Sequence, residues 1–115
     1  MTLKKIQKDV DEWTSQFTPQ YWPPHEVLAR LMEETGELAR EVNHLYGTKK
    51  KKPSEDAREL GEETADIIFT LCCLANSLEI DLDDSWKRVM DKCYGRDKDR
   101  YEKKHESDED HQEVI

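Results

Sequence analysis

Two short acidic clusters in this sequence have the residue types and the spacing to hold a metal ion. Glu34 and Glu37 are three residues apart in the first cluster, as are Glu63 and Asp66 in the second. Residues three or four apart share a helix face, so each cluster directs two carboxylates the same way. Carboxylates crowded beside a core repel one another and lose hydration, and a divalent cation removes that cost. Oxygen-only ligands favour magnesium, with manganese as an alternative.

The positions of Glu34 and Glu63 within apolar helical patterns argue against an ordinary solvated face. Glutamate is a good helix former, and most Glu-rich helices simply expose their acids to water. Glu63, however, falls between Leu60 and Ile67 in an apolar stripe, and Glu34 borders a second stripe. Arg30 is placed to pair with Glu34, whereas the helix of Glu63 offers no base at matching spacing. We therefore interpret these acids as candidate metal ligands.

Length, charge and cysteine content limit the classes of protein to which the chain can belong. Its 115 residues fit one domain with a modest core, and the net charge of −9 argues against nucleic acid as a partner. No apolar run reaches the ~20 residues of a membrane span, so we expect no membrane partner, and the N-terminus lacks the pattern of a signal peptide. The three cysteines form neither a disulfide framework nor a zinc motif, which favours a cytoplasmic location.

Apolar spacing and helix breakers predict four helices and no strands. The predicted helices run roughly over residues 2–17, from the turn at 21–24 to 46, from 54 to 80, and onward from 82. Gly47 is the predicted C-cap of the second helix, and Ser54 and Asp81 are the predicted N-caps of the third and fourth. We expect one domain over residues 1–102 and a polar, disordered tail over residues 103–115.

The apolar stripes of the helices predict an all-α bundle. The stripe of the first helix consists of Leu3, Ile6, Val10, Trp13 and Phe17. The stripe of the second helix consists of Leu28, Leu31, Thr35, Leu38, Val42 and Leu45. Alternating steps of three and four are typical of a bundle seam, so we expect these faces to pack on other helices.

Two other interpretations stay open on the residues alone. Glu41 and His44 form an ExxH pair, which ligates iron in di-iron carboxylate bundles. Such a protein needs two ExxH motifs, and the only other one, Glu102 to His105, lies where the chain turns polar. The second alternative is a metal-stabilised helical dimerisation module without catalysis.

The two acidic clusters, in their order and helical context, resemble the MazG-like nucleotide pyrophosphohydrolases of the all-α NTP pyrophosphatase superfamily. That family carries the pattern EExxE and, after a gap, ExxD. This chain has EETGE at residues 33–37 and ETAD at residues 63–66, and GELA at residues 36–39 is also typical of the family. The resemblance covers about residues 3–101.

The resemblance implies a bundle of about four helices per chain, completed by a partner subunit in a homodimer or homotetramer. It implies hydrolysis of a nucleoside triphosphate to monophosphate and pyrophosphate, with non-canonical nucleotides as one expected target. It also implies magnesium ligation by Glu34, Glu37, Glu63 and Asp66. Glu33 is our candidate for the carboxylate that accepts a proton from the attacking water.

Five further residues are candidate substrate contacts. Trp22 precedes the second helix and is placed to stack on a base, and His25 stands after the proline turn, where relatives often carry an Asn. Lys92, Arg96 and Arg100 can neutralise phosphate charge. A similar segment in relatives ends in Arg-Tyr and helps to hold the phosphates. The departure at His25 leaves the base preference open.

Overall fold

The protein is all-α, as predicted. A computed structural model describes residues 2–47 and 57–104, and these contain four helices and no strand. The helices are α1 (Leu3–Thr14), α2 (Pro24–Tyr46), α3 (Ala57–Ser77) and α4 (Leu82–Gly95). The predicted cap at Ser54 and the tail from residue 105 lie outside the described residues. No described helix has both the length and the hydropathy that a membrane crossing requires.

The chain divides into two compact units, Met1–Asp83 and Asp84–Ile115. The first unit contains α1, α2 and α3, and within it α3 packs against both of the other helices. The second unit contains nearly all of α4. The acidic clusters on α2 and α3 therefore belong to one packed unit, whereas the predicted phosphate-binding bases of the fourth helix belong to the other.

The helix ends follow local sequence signals. Pro24 stands in the first turn of α2, where its missing N–H leaves no hydrogen bond unmade. At the other end, the Gly47 N–H donates to the Asn43 carbonyl at 2.9 Å, and a Cβ at Gly47 would lie only 2.6 Å from that oxygen. Asp81 accepts from the Asp83 N–H at 3.0 Å, which confirms it as the cap of α4.

The first helix is shorter than predicted, because it ends at Thr14 and not near Phe17. The Thr2 hydroxyl caps its start by accepting from the Lys5 N–H at 3.1 Å. Beyond Thr14 the chain enters a series of bends toward Pro19, and a residue before proline is disfavoured in the helical conformation. The shorter helix leaves residues 15–23 as a connection between α1 and α2.

The inner face of α2 is rotated by about one residue from the predicted seam. The residues of this helix that are buried or half-buried include Val27, Leu31, Glu34, Leu38, Glu41 and Leu45. The prediction was wrong at Leu28, Thr35 and Val42, which are exposed. One residue corresponds to about 100° of rotation, so the same leucine-rich pattern supports either face. The observed rotation carries Glu34 into the interface with α3.

The face of α1 also differs from its predicted stripe. Gln7, Val10 and Thr14 are buried, whereas Trp13 and Phe17 are each about half exposed. The two aromatic rings contact each other edge to face, with centroids 5.5 Å apart. Trp13 and Phe17 therefore do not fill the core, and their rings are free to form the wall of a surface cavity.

A polar network joins α1 to the C-terminal end of α3. The Gln7 amide donates to the Asn76 Oδ1 at 2.9 Å and to the Ile80 carbonyl at 2.7 Å, and it accepts from the Leu82 N–H at 3.0 Å. Asn76 in turn donates to the Gln7 carbonyl at 2.9 Å. Side-chain hydrogen bonds thus fix the end of α3 against α1, which buried apolar contacts alone would not orient.

The same network fixes the connection between α1 and α2. The Tyr21 hydroxyl donates to the Asp11 carboxylate at 2.6 Å and accepts from the Asn76 amide at 3.0 Å. Burial, and then the hydrogen bond to Asp11, raise the pKa of Tyr21, so its hydroxyl keeps the proton that it donates. Trp22 follows directly in the same connection.

Candidate metal centre

Packing of α2 on α3 gathers three acids into one cluster. Glu34 and Glu37 come from α2 and Glu63 comes from α3, and each offers an oxygen within 4.8 Å of the other two. Glu34 is buried, Glu63 is half-buried and Glu37 is exposed. Glu34 and Glu37 therefore share a helix face, as their spacing of three residues predicts. We call Glu34, Glu37 and Glu63 the three-glutamate cluster.

Two oxygens of the three-glutamate cluster are buried and have no hydrogen-bond partner in the described part of the chain. These are Glu34 Oε2 and Glu63 Oε2, and neither meets a donor within residues 2–47 and 57–104. Buried polar atoms are rarely left unpaired, because each costs free energy of desolvation. Hard divalent cations prefer oxygen ligands, and these two carboxylate oxygens are available to bind one. The residues therefore fit the magnesium ion that the acidic pattern predicted.

The electrostatics of Glu63 follow from its surroundings. Desolvation, then the negative charges of Glu37 and Glu34, raise the pKa of Glu63 above its ordinary value. A hydrogen bond with Glu37 and the charge of Asp66 act in the same direction. The neighbouring carboxylates therefore oppose the ionisation of Glu63, which is the behaviour expected of an acid in a metal-binding group.

Glu34 has a basic partner, and that partner engages only one of its oxygens. Arg30 Nε donates to Glu34 Oε1 at 2.7 Å, the pairing that the sequence left open as a structural explanation. Glu34 Oε2 stays without a partner among the described residues. Within that part of the chain, no lysine or arginine forms an ion pair with Glu37 or Glu63, so the pair with Arg30 does not account for the cluster.

A cavity of about 310 Å³ adjoins the acids, since Glu34 and Asp66 form part of its wall. Arg30 also lines it, and five aromatic residues contribute to the wall: Trp13, Phe17, Tyr21, Trp22 and Phe69. Sequence reasoning picked out Trp22 but missed Trp13, Phe17 and Phe69. The i, i+4 spacing of Trp13 and Phe17 was the available signal, but it was assigned to the core. We call this space the aromatic cavity.

The remaining predicted residues of the first unit lie around these two features. Asp66 lies outside the three-glutamate cluster but lines the aromatic cavity, so its role as a ligand stays a prediction. Glu33 is exposed on α2, and its charge helps to raise the pKa of Arg30. His25 is exposed in the first turn of α2 and is not part of the cavity wall.

The predicted phosphate-binding bases belong to the second unit. Lys92 is exposed in the last turn of α4. Arg96 Nε lies 3.0 Å from Asp97 Oδ1, and Arg100 Nη1 lies 3.5 Å from the same atom. Both arginine side chains stay mostly exposed despite these pairs. The participation of the three bases in the site stays a prediction.

The alternative iron motif is not part of the three-glutamate cluster. Glu41 and His44 lie further along α2, and both are half-buried. His44 Nδ1 is buried without a partner among the described residues. His105, which the second ExxH motif needs, lies outside them. The di-iron interpretation therefore gains one unpaired nitrogen but no second motif from the residues described.

Comparisons with known proteins agree with this arrangement. The MazG nucleotide pyrophosphohydrolase domain matches residues 23–101, which include both acidic clusters. YpjD of Bacillus subtilis (strain 168), an uncharacterized protein, is 52% identical over 105 residues, which are 91% of this chain and 95% of that protein.

Two crystal structures resemble most of the chain. That of YpjD from Bacillus subtilis has a TM-score of 0.75 and covers 80% of this chain and 94% of its own, at 52% identity. The Bacillus-conserved MazG protein, a nucleotide pyrophosphohydrolase, has a TM-score of 0.71 at 47% identity and covers 87% of this chain and 97% of its own. With its paired acidic motifs on two packed helices and this extent of similarity, the chain belongs to the MazG nucleotide pyrophosphohydrolase family.

Proposed function

We propose that the protein hydrolyses a nucleoside triphosphate to the monophosphate and pyrophosphate in a magnesium-dependent reaction. The observation that carries this proposal is a pair of buried oxygens, on Glu34 and Glu63, that have no hydrogen-bond partner among the described residues and lie beside an aromatic cavity. Membership of a family of nucleotide pyrophosphohydrolases supports the same reaction. Glu34, Glu37 and Glu63 would hold the ion, with Asp66 as a fourth ligand and manganese as an alternative to magnesium.

The acids require a cation because phosphates are themselves anionic. When bound, magnesium supplies Lewis-acid stabilisation of phosphate oxygens and of the charge that develops on the leaving pyrophosphate. Glu33 on α2 is our proposed acceptor for the proton of the attacking water. Lys92, Arg96 and Arg100 of the second unit would contribute positive charge toward the phosphates.

The aromatic cavity would hold the nucleoside. Its volume of about 310 Å³ lies at the lower end of the range of small-molecule sites, about 300–1,000 Å³. Trp22 and Trp13 offer flat apolar surfaces on which a base can stack. Because Glu34 belongs to both the cavity wall and the three-glutamate cluster, a nucleoside in the cavity would bring its phosphates toward the acids. His25, in the first turn of α2, is our proposed contact for the edge of the base.

A second copy of the chain is our proposed partner. Leu28, Met32, Val42 and Tyr46 are exposed on one side of α2 and are spaced by four, ten and four residues, which places them in a heptad stripe. Contiguous apolar patches are uncommon on monomers. We propose that a partner's helix covers this stripe in a homodimer or homotetramer. Sedimentation of the Met32→Lys variant tests this, since the charge should shift the protein toward monomer.

The proposed reaction is tested by incubating the pure protein and magnesium with canonical and modified nucleoside triphosphates. We expect equal release of monophosphate and pyrophosphate from at least one of them, and the modified members of the panel test for removal of non-canonical nucleotides. The Glu37→Gln variant should lose turnover and keep its helical circular dichroism. The Glu12→Gln variant, which changes an exposed acid of α1, is the matched control and should keep wild-type turnover.

Other results would favour the competing functions. Turnover of no nucleotide by a protein that still binds magnesium would contradict the proposal and favour a metal-stabilised dimerisation module. An iron-dependent visible absorption after exposure to oxygen would favour a di-iron protein.

A further inference from the structure

Arg30 and Glu34 form an ion pair across one turn of α2, but the two side chains have very different surroundings. Glu34 is almost fully buried, with its side chain 6% exposed, whereas that of Arg30 is 51% exposed. Removing the partner of a buried carboxylate also costs stability, so the effect of Arg30 on metal binding has to be measured beside its effect on the fold. The burial of its partner suggests that the arginine acts on the metal-binding acid.

The carboxylate of Glu34 is divided between two environments. Oε1 accepts from Arg30 Nε at 2.7 Å, while Oε2 is buried without a partner in the described part of the chain. Glu34 also belongs to the three-glutamate cluster, so one carboxylate serves both the arginine and the acids. The last torsion of a glutamate side chain is broad, and a carboxylate without such a contact would rotate between orientations.

We infer that Arg30 is a positioning residue, which holds Glu34 by one oxygen and leaves the other for the metal. The inference rests on the proposed function, because it assumes that the three-glutamate cluster binds a divalent cation. Hydrogen bonds to ligating carboxylates from neighbouring side chains commonly support metal affinity in this way. No other arginine or lysine among the described residues contacts Glu34.

Because Arg30 is positively charged, the direction in which metal affinity changes on its removal tests the inference. An arginine is always protonated in proteins, so its side chain is a fixed positive charge. A fixed positive charge near the cluster repels a second cation. If Arg30 only neutralised charge, its removal would increase metal affinity. If Arg30 orients Glu34, its removal decreases that affinity.

Manganese binding without nucleotide separates these effects from turnover. The free Mn²⁺ signal in electron paramagnetic resonance reports the dissociation constant of the intact protein. We expect Arg30→Met to raise that constant by about 10–100-fold, as loss of a supporting hydrogen bond does in other metal sites. Arg30→Lys keeps the positive charge and a donor group. The logarithm of its dissociation constant should therefore rise by no more than half as much as that of Arg30→Met.

A matched control comes from α4. Arg88 forms an i, i+4 pair with Asp84 on an exposed helix face, and neither residue belongs to the three-glutamate cluster. Arg88→Met removes an arginine that also pairs with an acid across one helical turn, in the reverse order along the chain, and we expect it to leave the dissociation constant for Mn²⁺ unchanged. A loss in both variants would mean that general helix stability controls binding, which would contradict the inference.

A double variant tests whether Arg30 acts through Glu34. In the Glu34→Gln background, adding Arg30→Met should change the dissociation constant by less than about twofold, since the oriented carboxylate is already absent. Additive losses in the two variants would overturn the positioning role. Circular dichroism checks the fold of each variant, and Arg30→Gln replaces Arg30→Met in the titration if that variant does not fold.

The outcomes for the two proposals are distinct. A wild-type protein that binds Mn²⁺ and an Arg30→Met variant that binds it equally or more tightly would overturn the role of Arg30 alone. A wild-type protein that does not bind Mn²⁺ would overturn both this role and the metal site. Binding of Mn²⁺ without nucleotide turnover would remove the proposed reaction and leave the role of Arg30 intact.

Discussion

Two polar regions lie among the packed helices of the first unit, and they differ in whether their groups are paired. At the C-terminal end of α3, Gln7, Asn76 and Tyr21 exchange hydrogen bonds of 2.6–3.0 Å with one another and with neighbouring groups. In the first half of the same helix, Glu63 meets Glu34 and leaves two buried oxygens without partners among the described residues. The first region is paired among the described residues, whereas a bound cation would complete the second.

The difference indicates that the first region stabilises the fold and that the second serves to bind a ligand. A completed hydrogen-bond network orients helices, and removing one member leaves buried partners unpaired at a cost in stability. A cluster of like charges opposes folding, and a cation that binds only the folded chain would offset that cost. Substitutions in the two regions should therefore have opposite effects on metal binding and on stability.

The largest effect is expected for Glu63→Gln. The variant keeps the shape of the side chain but removes a charge that the cluster presents to the cation, so metal affinity and turnover should fall by more than about 100-fold, beyond the effect of a supporting residue. The metal-free protein should melt at the same temperature or higher, because repulsion from Glu37 and Glu34 is relieved. Manganese titration and thermal unfolding provide the two measurements.

A lower melting temperature of metal-free Glu63→Gln would contradict the comparison. It would mean that the ionised acid stabilises the fold, as a member of a completed network does.

The converse is expected for Asn76→Ala. This change removes hydrogen bonds to Gln7 and Tyr21 and leaves part-buried groups unpaired, so the free energy of unfolding should fall by about 2–4 kcal/mol. Affinity for Mn²⁺ should change by less than about twofold. Chemical denaturation gives the stability. Asn43→Ala, at an exposed position on α2, should cost less than about 0.5 kcal/mol and serves as the control.

A smaller effect is expected at the aromatic cavity. Trp22→Ala removes one stacking surface and should raise the KM for the nucleotide by about 10-fold, since stacking of one base contributes about 1–3 kcal/mol. The kcat and the affinity for Mn²⁺ should change little, because Trp22 is not part of the three-glutamate cluster. Trp22→Phe retains a ring and should recover most of the KM. A loss confined to kcat would place Trp22 outside the nucleoside site.

The smallest effect concerns the pH dependence of the completed network. Burial and the hydrogen bond to Asp11 raise the pKa of Tyr21 in the folded protein. Its contribution to stability is therefore present below the unfolded pKa of about 10 and is lost as pH rises through the folded pKa. Ultraviolet titration of Tyr21→Phe should lack the most alkaline part of the wild-type curve. An unchanged curve would show that Tyr21 is not held by the network.

Local sequence patterns predicted the helices and most of the candidate metal centre. Periodicity gave four helices, and Asp81 caps α4 as expected, because both features depend on neighbours along the chain. The acids of the three-glutamate cluster were also predicted, since two spacings of three residues place them on helix faces. These are short-range properties that a single sequence contains.

The arrangement between helices was harder to predict. On α2, two apolar stripes lie one residue apart, so spacing alone did not show that Val27 faces inward while Leu28 is exposed. Gln7 and Asn76 are 69 residues apart, and no local pattern marks them as partners. The aromatic cavity depends on where α1 ends and where Tyr21 is held. Each of these features is set by packing between distant segments.

The most direct test of the metal site is a crystal structure of the protein with Mn²⁺, located by its anomalous scattering. The account predicts a peak bound by Glu34, Glu37 and Glu63, with Oε2 of Glu34 and of Glu63 among its ligands and Arg30 still hydrogen-bonded to Oε1 of Glu34. A saturated crystal with no peak there, in which these acids share protons or pair with bases, would contradict it.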